Sequence, residues 1–110
     1  MIQYTASALA DIETAYNWYE DQKEGLGDQF IEDVRETAAR IDANPKGYEK
    51  RIQEARKANL KHFPYALWFK IGNNHLVIAC LHARRNPVLA KERAAGIIPM
   101  PKSPEPSSSM

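Results

Sequence analysis

Residues 63–87, FPYALWFKIGNNHLVIACLHARRNP, constrain the fold more than any other stretch. Tyr65, Leu67, Phe69 and Ile71 alternate with Ala66, Trp68 and Lys70, the period of two expected of a β-strand. Gly72-Asn73-Asn74 follows, and Gly and Asn tolerate the positive φ that a tight turn needs. Residues 76–81 are a continuous apolar run, short for a helix and suited to a strand buried on both faces. The chain therefore predicts a β-hairpin. Its second strand delivers His82, Arg84 and Arg85 to the sheet edge, and Asn86-Pro87 stops it.

The rest of the chain supplies what that hairpin packs against. Residues 1–5 can form a short first strand through Ile2 and Tyr4. Ser7 is a candidate cap for a helix over residues 7–23, in which Ala8, Ile12, Ala15 and Tyr19 recur at helical spacing and Asp11, Glu13 and Glu20 fall off that face. Gly25-Leu26-Gly27 ends it and permits a reversal. A second helix carries Phe30, Val34, Thr37, Ala38 and Ile41 on one face and closes near residue 43, before Asn44-Pro45. So short a link makes the helices an antiparallel hairpin. Short strands are expected over 50–52 and 55–61, and one or two helical turns over 88–95. From Gly96 onward the chain is rich in Pro and Ser with little to bury, and a disordered tail is expected. The expected architecture is an α+β domain over residues 1–95, with the helical hairpin on one face of a small antiparallel sheet, and a tail over 96–110.

Charge divides the chain in two. Residues 1–45 hold 3 Lys/Arg and 10 Asp/Glu, whereas residues 46–93 hold 11 Lys/Arg and 3 Asp/Glu. The basic half can face nucleic acid or an acidic protein, or the halves can neutralise each other across the fold. The single cysteine, Cys80, excludes an internal disulfide and lies in the apolar strand, where an inert packed thiol is expected. The first residues lack a basic segment followed by an apolar one, and no apolar run matches a membrane span. A cytoplasmic location, away from membranes, is the simplest expectation.

A Walker loop, a dinucleotide-binding glycine fingerprint and zinc-spaced Cys or His pairs are all missing from the sequence, so neither a cofactor nor a metal is expected. What remains is a basic set, Arg51, Arg56, Lys61, Arg84, Arg85 and Arg93, with His62 and His82 among it. RNA can be cut without metal when an acid–base pair moves the protons and cations hold the phosphate. Histidine as a residue type suits the first role because its reference pKa lies near neutrality, which makes His82 the candidate, and Arg84 and Arg85 have the planar forks for the second. The same residues suit better a hydrogen-bonded strand end and a solvated or partner-binding edge. Tyr16, Trp18 and Tyr19 fit core or interface at their helical spacing. Trp68 faces away from Leu67 and Phe69, as second-face core or as a partner anchor.

Several segments in order carry a resemblance: Ala10-Asp11-Ile12 with Trp18-Tyr19, Gly25-Leu26-Gly27 with Phe30, Asn44-Pro45, Arg56, Phe63-Pro64-Tyr65, and His82-Ala83-Arg84-Arg85-Asn86-Pro87 with Arg93. Together they resemble the RelE/ParE toxins of type II toxin–antitoxin modules. The resemblance implies a helical hairpin on an antiparallel sheet and a cognate antitoxin that wraps the toxin. RelE-like members cleave messenger RNA on the ribosome with basic residues and a late tyrosine or His-Tyr pair. ParE-like members inhibit DNA gyrase. Arg84 matches a phosphate-binding arginine of the cleaving members, but their late tyrosine falls near Ala90, and no tyrosine follows Tyr65. The resemblance therefore implies the ParE-like branch, a gyrase-binding toxin rather than an enzyme. The alternatives are a ribosome-dependent endoribonuclease using His82, Arg84 and Arg85, or a degenerate member that only binds its antitoxin. Arg56, Lys61, Arg84, Arg85 and Arg93 are the expected target- or phosphate-binding residues, and Trp68, Arg84 and Arg85 the expected antitoxin contacts.

Overall fold

A computed structural model describes residues 1–84 and 87–95. Arg85 and the expected tail over 96–110 lie outside the described residues. The elements run β1 (Ile2–Tyr4), α1 (Ala6–Gln22), α2 (Leu26–Ala43), a 3-10 turn (Pro45–Gly47), β2 (Lys50–Ile52), β3 (Ala55–Asn59), β4 (Tyr65–Lys70), β5 (His75–His82) and α3 (Pro87–Ala94). The five strands form one sheet in the order β1-β5-β4-β3-β2.

The first helix begins one residue before the expected start because Thr5, not Ser7, caps it. Thr5 is extended (φ −73°, ψ 161°), and its Oγ1 accepts the Ala8 N–H at 3.0 Å. Such a bond satisfies one of the N–H groups that a helix start leaves unpaired. The reversal into α2 rests on Gly25, whose φ of +88° is cheap only for glycine. The Glu20 carboxylate spans the turn, accepting the N–H groups of Gly25 at 3.0 Å and Gly27 at 2.9 Å. Gly27 is already helical, and a Cβ there would lie 2.8 Å from both Glu20 Oε1 and the Tyr16 ring. Gly27→Ala is expected to cost about 1–2 kcal/mol in urea unfolding, because the overpacking outweighs the gain in helix propensity. Unchanged stability would show that Tyr16 and Glu20 move aside freely.

The apolar stripe of α2 is as expected. Phe30, Val34, Thr37, Ala38 and Ile41 are all buried, and they join Ala8, Ile12 and Ala15 of α1 on one sheet face over Ala58, Leu67, Phe69, Val77 and Cys80. The sheet departs from expectation in one strand pair. β2, β3, β4 and β5 form an antiparallel meander, but β1 runs parallel to β5, pairing Ile2 with His75 and Tyr4 with Val77. The sheet is therefore mixed. A three-residue strand gives no local sign of its direction, which is decided by where the helical hairpin returns the chain. β3 also stops at Asn59, two residues short of expectation, because residues 61–63 turn their N–H groups toward α2.

The apolar run of β5 is buried on both faces, as its continuity required. The second face is not an open basic surface. α3 lies on it, packing Ala90 and Ala94 with Trp68, Ile78, Ala79 and Leu81. A bulge between Phe69↔Val77 and Trp68↔Ala79 puts Ile78 and Ala79 together in that layer.

Candidate functional site

Two buried carboxylates build the surface around the end of β5. Asp33 sits among the apolar residues of α2 with 1% exposure. It accepts the N–H groups of Lys61 at 3.2 Å, His62 at 2.7 Å and Phe63 at 3.0 Å. A carboxylate with three such donors is the acceptor for a whole loop whose N–H groups have no strand partner. The loop in turn sets Phe63 edge-on to Tyr19 and Phe30, at ring separations of 4.7 and 5.4 Å. Tyr65 joins the cluster and stacks edge-on to His82 at 5.6 Å. The Pro64 carbonyl accepts the Ala83 N–H at 2.8 Å, fixing where the chain leaves β5.

Asp11 is the second carboxylate. It accepts the Cys80 N–H at 3.0 Å and pairs bidentately with Arg93 of α3, at 2.9 and 3.3 Å. Arg93 also donates to the Ile78 carbonyl at 3.1 Å. Both side chains are mostly buried, at 16% and 11% exposure. The pair therefore closes the edge of β5 just beyond the end of β1 and ties α3 to α1. Cys80 lies beneath it, and burial pushes its thiol up to about 12, so it is protonated at neutral pH.

The expected basic cluster is dispersed. Arg56, two strands from β5, donates to the Tyr48 carbonyl. Lys61 is exposed on the loop held by Asp33. Arg93 is committed to Asp11. Trp68 is 8% exposed, a core residue beneath α3, with the Lys57 ammonium 5.7 Å from its ring centroid. Lys57 also donates to the Ala83 carbonyl at 2.8 Å, and burial, then the Arg51 charge, lowers its pKa. Among the described residues of the set, only His82 and Arg84 stand together: the Arg84 N–H donates to His82 Nδ1 at 3.3 Å, and the Arg84 side chain is exposed. His62 lies beside Asp33 and Glu36, with one ligand atom of each within 4.8 Å of the others, although the Asp33 oxygens are already occupied by three N–H donors.

Sequence reasoning missed Asp11 and Asp33 as organising residues. Asp33 had a visible signal, an acid three residues after Phe30 and adjacent to Val34 on the apolar stripe. Asp11 had none in its periodicity, since a helical wheel puts it off the core face, and it stood out only within the motif Ala10-Asp11-Ile12.

Two clefts flank the end of β5. One, of 440 Å³, is lined by Trp18, Tyr19, Pro64, Tyr65 and His82. Trp18 is 56% exposed there. The other, of 270 Å³, runs between α1 and α3 past Thr14, Ala15, Leu81 and Leu89.

The sequence pattern of the family described as ParE toxin of type II toxin-antitoxin system, parDE, matches residues 2–87. The chain belongs to the ParE toxin family. Its fold agrees: a solved chain from a chromosomal ParDE TA system of P. aeruginosa superposes with a TM-score of 0.68 at 15% identity, covering 76% of this chain and 95% of that one. No curated protein sequence matches. The ParE pattern ends at Pro87, so Arg93 and most of α3 lie beyond it. Among the described residues of this ParE-family chain, no helix is long and apolar enough to cross a membrane.

Proposed function

We propose that this ParE-family toxin acts by binding and inhibiting DNA gyrase, and that a cognate antitoxin neutralises it by covering the same surface. The observation that supports binding over RNA cleavage is the separation of the groups cleavage would need. His82 lies across the strand pair from Tyr65, on the helix-facing side of the sheet. The late position where cleaving relatives place their tyrosine falls near Ala90, a residue of α3 whose methyl group is fully buried against the opposite face of the sheet. The late tyrosine of the cleaving relatives thus has no counterpart at that position, and the ring beside His82 is that of Tyr65. Arginine stays protonated and is a poor general base. Inhibiting gyrase by binding requires no proton transfer from the toxin, and the exposed Arg84 beside His82 suits contact with an acidic surface.

The second reading, ribosome-dependent cleavage of messenger RNA, draws on the adjacency of His82 and Arg84. Plasmid supercoiling by purified gyrase separates the two. The toxin is expected to block supercoiling, and His82→Ala to retain the block within about threefold. Loss of a positioned acid or base instead lowers a rate by about 10²–10⁴. Unimpaired supercoiling, together with messenger cuts that vanish in His82→Ala, would establish the endoribonuclease. No effect in either assay, with antitoxin binding intact, would identify a degenerate toxin.

A further inference from the structure

We infer that residues 97–106 of this chain, IIPMPKSPEP, fold back as a polyproline II strap and seat an apolar ridge in the aromatic cleft between Trp18 and His82. The inference is independent of the gyrase reading and of the antitoxin reading.

The segment lies outside the described residues, and its composition carries the first half of the argument. Pro99, Pro101, Pro104 and Pro106 fix φ near the polyproline II value, at which every third residue shares a face. Ile98, Pro101 and Pro104 then form one apolar ridge. Ile97, Met100 and Pro106 fall on the next, with Ser103 among them, and Lys102 and Glu105 share the third with Pro99. A chain so restricted gives up little conformational freedom on docking, and aromatic-lined grooves are the surfaces that take it.

The cleft of 440 Å³ is a groove of that kind. Trp18 is 56% exposed yet held in place, edge-on to Tyr19 at 5.1 Å. Tyr19 is packed in turn against Phe30, Phe63 and Tyr65. The other wall is Pro64 with His82, whose ring meets Tyr65 at 5.6 Å. Both walls are therefore set before anything binds, which lowers the cost of binding. Charge agrees. Exposed Asp21 lies one helical turn beyond Trp18, and exposed Arg84 adjoins His82, so the two sides of the cleft offer Lys102 and Glu105 opposite charges.

Reach favours the chain's own segment as the occupant. Arg93, next to the last residue of α3, bonds to Asp11 at 2.9 Å, so the helix delivers the chain to α1. From Asp11 to Trp18 is about 10 Å along that helix. Residues 96–101 span up to about 20 Å, which brings Pro101 and Pro104 to the cleft. Tethering supplies an effective concentration of about 1 mM, so even a segment of millimolar affinity is seated about half of the time. A separate proline-rich protein lacks that advantage.

The test keeps the full chain. Acrylamide quenching of Trp18 is expected to rise about twofold when Pro101→Ala and Pro104→Ala are introduced together, because the ring is no longer covered for half of the time. Both substitutions lie beyond the last described element. Trp18→Phe is expected to abolish the difference, since Trp68 is buried in the core. A nitroxide at Ser108→Cys reports proximity, because the buried, protonated Cys80 takes no label. Its broadening of the Trp18 indole N–H signal is expected to fall about twofold in the double proline variant. Equal quenching and equal broadening with and without the two prolines would overturn the strap. Broadening that persists with nitroxide and isotope label on different copies would overturn it in favour of exchange between copies. Protection of Trp18 that appears only on adding the protein of the adjacent reading frame would assign the cleft to that partner instead.

Discussion

Asp33→Ala is expected to destabilise the protein by about 3–5 kcal/mol, a large share of the roughly 5–15 kcal/mol that holds a domain folded. The substitution removes one acceptor but strands three donors, the N–H groups of Lys61, His62 and Phe63. Each unsatisfied buried donor costs about 1–3 kcal/mol. The sum is not reached, because Lys61 and His62 are exposed and water can partly replace the carboxylate. The methyl group also leaves a void beside Phe30 and Val34. Asp33→Asn keeps one carbonyl oxygen but turns an NH2 group toward N–H donors, so an intermediate loss is expected. The damage should spread to the functional surface, since the same loop sets Phe63 and Pro64 against the cluster of Tyr19, Tyr65 and His82. Urea unfolding followed by circular dichroism measures the loss. A change below about 1 kcal/mol would mean that water or a shifted loop satisfies these groups without Asp33.

Breaking the Asp11–Arg93 pair from one side is expected to cost about 3–5 kcal/mol, because it leaves the other charge buried and unpaired. The two halves are unequal. Asp11→Ala strands the Arg93 guanidinium and also the Cys80 N–H, whereas Arg93→Ala leaves Asp11 still accepting from Cys80. Asp11→Ala is therefore expected to be the worse. Replacing both at once, Asp11→Leu with Arg93→Met, removes the charge problem and should recover much of the loss. The recovery stays incomplete because the Cys80 N–H and the Ile78 carbonyl lose their partners. Either single substitution should also loosen α3 from the sheet. The expected signs are a red shift of Trp68 emission and faster proteolytic cutting near residue 87, since Trp68 is buried by that helix. Additive losses in the double-mutant cycle would show that the pair contributes no coupling.

The local pattern of the chain determined much of this structure. Alternation over residues 65–71, turn residues at 72–74 and the apolar run over 76–81 specified the β4–β5 hairpin, because a strand with one or two buried faces must show that period in its side chains. The 3.6-residue recurrence from Phe30 to Ile41 specified the buried face of α2 for the same kind of reason. The order of short motifs from Ala10-Asp11-Ile12 to Asn86-Pro87 carried the family, and the matched span of 2–87 agrees with it. Only the tertiary structure decided three further points. It set β1 parallel to β5, since strand direction depends on the path of the intervening chain and not on three residues. It dispersed the described arginines of the basic set, which are carried by β2, β3, the turn after β5 and α3. It also joined Asp11 to Arg93, 82 positions later, and Asp33 to the loop at 61–63. A carboxylate is written the same way whether it is solvated or buried. Its role depends on which backbone donors the fold leaves without a partner, and these are known only once the strands have found their edges.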